Sequence, residues 1–278
     1  MNDGESAFAS KDVPSALMRQ TLLDRELVRP ATDHLPIRLL PWLHVVTLGG
    51  RSIMDRGRDA VEPLVDELRE AFADRKLLIA TGGGIRARHV IGVALDLGLP
   101  TGALAALAST EAEQNGHIVA ALLAEDGVSY LPHATVGHQL AVHLAASPAA
   151  VSNGFPPYEM FEFPPAVGKI PPHRTDAGAF LIADAYGAAR VIFAKDVDGV
   201  YTCDPATAGE GEAELIERVG AAELLEMNLP SLPIDRIVLE LMANAKHQKE
   251  IQIVNGLTSG NVTKALNGEH VGTIIYAD

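Results

Sequence analysis

Residues 190–205 read RVIFAKDVDGVYTCDP. The run RVIFAK is apolar and β-branched and ends abruptly in charge, the form of a buried strand that stops at a functional edge. Asp198-Gly199 then makes a turn. Around it stand Lys195, a cation suited to a phosphate, and Tyr201, with a flat face and a hydroxyl. Asp198 and Asp204 are acceptors suited to a ribose, an adenine amine or Mg²⁺. A plain Asp-Gly turn carrying exposed charges is the competing reading.

Working outward, the same alternation of strand-like runs and amphipathic stretches fills the chain. Strands are expected over 44–48, 76–80, 128–132, 149–153, 190–195, 251–255 and 272–277. Helices are expected over 59–73, 86–98, 109–127, 136–147, 176–188, 221–228 and 233–248. That alternation predicts an α/β fold, a three-layer αβα sandwich with a mainly parallel central sheet. Two further strands run into glycine. VVTLGGRS (45–52) ends in Gly49, Gly50 and Arg51, and TGGGIRARH (81–89) brings Gly82, Gly83 and Gly84 to the start of a helix. Glycines let a backbone approach a phosphate closely, and a helix N-terminus with Arg86 and Arg88 nearby favours an anion. Neither loop is a dinucleotide fingerprint, since Ala87 stands where the third spaced glycine belongs. Neither is a P-loop, since no Gly-Lys-Ser/Thr follows.

Composition bounds the partners. The chain has 278 residues, 47% of them hydrophobic, and a formal charge of −14. That balance predicts a soluble globular protein with no nucleic-acid or anionic-membrane partner, because both are bound through lysine and arginine. The single cysteine, Cys203, excludes an internal disulfide framework and a multi-thiolate metal site. With no apolar run of signal-peptide or spanning length, a cytoplasmic location is expected. Residues 1–36 are polar and proline-interrupted and read as an N-terminal arm suited to contacting a neighbouring subunit, ahead of one domain over 37–278. Six of the 17 prolines fall in FPPYEMFEFPPAVGKIPPHR (155–174), an insert that is neither helix nor central strand.

Taken in order, VVTLGG, TGGG, RTDAGAFLIADAYGA, KDVDGVYTCDP and IQIVNGLTSGNVTKALNGEHVGTII resemble the amino acid kinase superfamily, its uridylate-kinase-like branch in particular. The resemblance implies ATP and Mg²⁺ at the carboxyl ends of the strands. Lys195, Asp198, Tyr201 and Asp204 would lie near the nucleotide, with Gly49, Gly50, Arg51, Gly82, Gly83 and Gly84 along the phosphate channel. A narrower resemblance, carried by ASTEAEQNGHI, FPPYEMFEFPP and IPPHRTDAGAF, is to the molybdenum storage protein family, on its alpha-subunit side. It implies a homo- or hetero-hexameric cage holding polynuclear molybdenum or tungsten oxide clusters loaded from molybdate or tungstate. The alternative that the wider resemblance implies is a nucleoside monophosphate kinase converting ATP and UMP to ADP and UDP.

The chain departs from both patterns. Thr47 stands where the kinases place a lysine, which argues against fast phosphoryl transfer; one preorganised donor of that kind is worth roughly 3–4 kcal/mol in a transition state. Glu159, Met160 and Phe161 replace expected histidines in the insert, and Pro132 an expected acid. His133, His138 and His173 are the candidate oxometalate ligands, with His143 five residues beyond His138; a core or solvated histidine is the bland account of each. Glu111, Glu113, Gln114 and Asn115 occupy the stretch where the kinases contact the phosphoryl acceptor. Thr175 and Asp176 are the stronger candidates for that role, with a helix N-cap as their competing account.

Overall fold

Strands form here where alternate residues can be buried on two opposite sides. In the computed structural model, which describes residues 36–165, 168–205, 207 and 213–277, β1 (Leu43–Leu48) is the clearest case. Leu43 and Val45 face one apolar layer, and Val46 and Leu48 face the other. The arm expected over residues 1–36 lies, but for Pro36, outside the described residues.

The remaining strands are β2 (Lys76–Thr81), β3 (Ser129–Tyr130), β4 (Ala149–Asn153), β5 (Arg190–Lys195), β6 (Val200–Tyr201), β7 (Leu215–Ile216), β8 (Arg218–Gly220), β9 (Glu250–Asn255) and β10 (Thr273–Tyr276). Eight form one sheet in the order β3-β4-β2-β1-β5-β9-β10-β8, parallel throughout except where β10 runs against β9. The short β6 and β7 pair separately, antiparallel. These two and β8 were not expected from sequence: at two or three residues they are too short for a periodicity to register.

The helices are α1 (Arg58–Glu70), α2 (Gly84–Asp96), α3 (Thr101–Leu122), α4 (His133–Ala146), α5 (Thr175–Tyr186), α6 (Ala221–Glu226), α7 (Ile237–Asn244) and α8 (Asn261–Asn267). α1, α8 and the end of α3 cover one face of the sheet through Leu64, Leu68, Val119 and Val262. α4, α5, α6 and α7 cover the other through Leu140, Phe180, Leu224 and Val238. The three layers expected from the alternation are therefore present. Among the described residues no helix is long and apolar enough to cross a membrane.

α3 differs most from its expectation. It begins at Thr101, eight residues before the predicted start, and Gly102, a breaker by propensity, lies inside the helix. Gly102 is needed: a Cβ there would lie 2.2 Å from the Met160 carbonyl oxygen, so the proline-rich insert can rest on the helix only where a side chain is missing.

Candidate functional site

Because β1, β2 and β5 are parallel neighbours, their carboxyl ends reach one edge of the sheet together and release the three predicted loops side by side. The Gly49 amide donates to the Ala194 carbonyl at 3.2 Å, and the Gly82 amide to the Leu48 carbonyl at 3.0 Å. The two glycine loops interlock backbone to backbone. A Cβ on Gly50 would stand 2.1 Å from the Gly84 nitrogen and 2.7 Å from the Gly82 carbonyl carbon; one on Gly82 would stand 2.7 Å from the Gly50 nitrogen. Gly84 has φ +67°, and its missing side chain leaves room for the Asp55 carboxylate, which accepts from the Ile85 amide at 2.6 Å. The N-terminus of α2, expected to be open to a ligand anion, thus receives an internal carboxylate as well.

Above these loops lies a cavity of about 560 Å³. Gly49, Gly50, Arg51 and Gly82–Gly84 line one side of it; Lys195, Tyr201 and Asp204 line another. Asp198 stands behind that wall, accepting hydrogen bonds from the Tyr201 hydroxyl (3.2 Å) and from Asn255 Nδ2 (2.9 Å), so it shapes the turn that presents Tyr201. Thr47 is fully buried within β1 and sends its hydroxyl to the Ile192 carbonyl at 3.4 Å, away from the cavity.

Two residues that the sequence patterns did not single out, Arg174 and Asp235, join Lys195 and Asp176 in the charged floor. Lys195 Nζ donates to both carboxylate oxygens of Asp176 at 2.9 Å. The Asp235 amide donates to Asp176 at 3.1 Å, and Arg174 grips the Asp235 carboxylate through Nε, at 3.1 Å, and Nη2. Two cations and two carboxylates are thus interleaved. Burial, reinforced by the charge of Asp176, pushes the Asp235 carboxyl above its ordinary range, against the opposing pull of Arg174 and Lys195. No side-chain cap is made at the start of α5, so the N-cap account of Thr175 and Asp176 gives way to a place on the cavity wall. Asp235 had no sequence signal; only the topology brings the segment before α7 against Asp176. Arg88 lines the cavity, whereas Arg86 turns back to Asn115 and to Glu111, 3.5 Å away.

The three histidines are scattered. His133 is buried, its Nδ1 3.0 Å from Asn153 Nδ2 and its Nε2 3.1 Å from Glu159 Oε2, off the line that a hydrogen bond requires. Glu159 also accepts from the Ser109 hydroxyl. Among the described residues the buried Tyr130 and Ser152 hydroxyls have no well-formed hydrogen-bond partner, and burial, then the charge of Glu113, pushes Tyr130 up. His173 meets Glu162 at 3.1 Å, and His138 borders a surface groove with Leu131, Val142 and His143. Among the described residues no three His, Cys, Asp or Glu side chains are grouped to hold a metal ion.

The sequence model of the amino acid kinase family matches residues 42–260. Molybdenum storage protein subunit beta of Azotobacter vinelandii is 44% identical over 98% of this chain and 99% of its own length; the subunit matched is the beta one, where the sequence patterns leaned to alpha. Uridylate kinase of Methanobrevibacter smithii is 26% identical over 84% of this chain and 98% of its own. The crystal structure of the Archaeoglobus fulgidus uridylate kinase superposes with a TM-score of 0.66 at 23% identity, covering 84% of this chain and 99% of that one. The chain belongs to the amino acid kinase family, on the side of it that contains molybdenum storage protein subunits.

Proposed function

We propose that this chain is an ATP-binding subunit of an oligomeric store for molybdenum or tungsten, acting in the cytoplasm, in which nucleotide binding or hydrolysis is coupled to the loading of oxometalate. The observation that carries the nucleotide part is the interlocked pair of glycine loops, where a Cβ on Gly50 or Gly82 would collide with backbone, opening on a cavity with Lys195 on its floor. Such walls fit a polyphosphate: backbone donors can approach it, and Arg51 and Lys195 supply charge despite the acidic exterior. Asp176 and Asp204 are the carboxylates suited to Mg²⁺ there, and Tyr201 offers a face to the base. The storage part rests on 44% identity over 98% of the chain to a storage subunit, which also supports assembly with a homologous partner; a homo- or hetero-hexamer is the proposed form.

Thr47 favours storage over kinase chemistry. Its hydroxyl is committed to the sheet, so position 47 offers no donor to a transferred phosphoryl group. Two measurements on the full chain test the reading. Calorimetry with MgATP should show saturable binding, and protein purified from cells grown with molybdate or tungstate should carry many metal atoms per chain. Absence of nucleotide binding refutes the first half and metal-free protein the second. Rapid UDP formation from ATP and UMP would move the assignment to the kinase.

A further inference from the structure

Asn115 lies in the middle of α3, is 3% exposed, and touches neither the surface nor the cavity. Its Nδ2 donates to the Gly82 carbonyl at 2.6 Å, and its Oδ1 accepts from Arg86 Nη2. Arg86 is held in turn by Glu111, 3.5 Å away. A side chain from the second layer thus reaches one peptide group of the TGGG loop.

That peptide group is one that needs holding. It joins two glycines, whose wide φ/ψ freedom lets the plane between them turn over at little cost. In a trans peptide the carbonyl of one residue and the amide N–H of the next point in opposite directions. With the Gly82 carbonyl drawn to Asn115, the Gly83 N–H is aimed the other way, and a reversed plane would direct a carbonyl oxygen where the N–H now points. The Gly82 amide is fixed by the Leu48 carbonyl, and Asn115 adds a side-chain restraint on the Gly82 carbonyl.

We infer that Asn115 is a positioning residue that locks the Gly82–Gly83 peptide with its N–H available to the bound polyphosphate, Arg86 serving as its anchor. The inference rests on the proposed nucleotide site. It assigns Arg86, the first arginine of TGGGIRARH, to the scaffold.

Asn115→Asp tests it in the full chain. The variant is nearly isosteric and keeps an acceptor for Arg86, but it replaces the donor facing the Gly82 carbonyl with a repelling oxygen. MgATP affinity should fall about tenfold, the scale of one buried hydrogen bond. The affinity for AMP, measured by displacement of a fluorescent adenosine analogue, should change less than twofold. The MgATP-induced shift of the Gly83 amide in ¹⁵N-correlated spectra should shrink. Asn115→Leu, with neither donor nor repulsion, should fall between the variant and wild type. An unchanged ratio of ATP to AMP affinity together with an unchanged Gly83 shift overturns the inference. If wild-type protein itself binds no MgATP, the nucleotide reading fails first.

Discussion

Two polar regions border the same sheet and are built on opposite terms. At the carboxyl ends of β1, β2 and β5 the backbone does the shaping: glycines meet glycines, and the side chains present are charged and interleaved. At the β3–β4 edge, under the Glu159–Phe161 turn, side chains do it. His133, Asn153, Ser109 and Glu159 engage one another, while the Tyr130 and Ser152 hydroxyls lack well-formed bonds among the described residues. A backbone cradle makes room for a ligand by omitting side chains, even though its Gly49, Gly82 and Ile85 amides already bond within the protein. A side-chain cluster that already contains its own carboxylate has given its anion position to Glu159. The difference separates a region preorganised for a ligand from one that is largely self-satisfied.

The comparison breaks most directly at Gly50. In Gly50→Ala the new methyl would stand 2.1 Å from the Gly84 nitrogen, and the obstacle is main chain that no rotamer change can move aside. The loops must separate, at an overpacking cost of about 1–3 kcal/mol. MgATP binding, followed by calorimetry, should fall below detection while the far-UV spectrum remains that of an α/β protein. Retention of wild-type affinity would show that the cradle is not a backbone device.

The same contrast explains what could be read in the chain. The long strands were legible because Val45 and Val46, or Ile192 and Phe193, must be apolar on both sides of a covered sheet. The glycine loops and the turn around Asp198-Gly199 were legible because a backbone requirement leaves a mark on residue type. Partner choice leaves none. Arg86 and Arg88 look alike in TGGGIRARH, and only the position of α3 makes the first an anchor for Asn115 and the second a cavity residue. Asp235, 59 residues from Asp176, enters the charged floor through the third dimension alone. The histidines were the least legible: His133 and His138 share a helix but face a buried cluster and the surface respectively.

Glu159→Gln sharpens the comparison from the other side. Glu159 is partly exposed but accepts from Ser109 and approaches His133, so removing its charge at constant shape weakens a charge-assisted bond to a neutral one. Chemical denaturation should register a loss of about 1 kcal/mol, and MgATP affinity should not change, since Glu159 does not line the cavity. A stability loss above about 3 kcal/mol would mean that the cluster is a core element, and a change in nucleotide affinity would mean that the two regions are coupled through α3.

The smallest effect belongs to His138. It lies on the outer side of α4, beside the exposed Val142, and makes no hydrogen bond or ion pair among the described residues. If its groove is only surface, His138→Ala should leave stability within about 0.5 kcal/mol, the usual range for such positions. Metal content after growth with molybdate should also be unchanged. A fall in metal content at unchanged stability would instead move oxoanion handling to this outer face. That result would divide the molecule into a nucleotide edge and a separate metal-facing helix, with the buried His133 cluster serving neither.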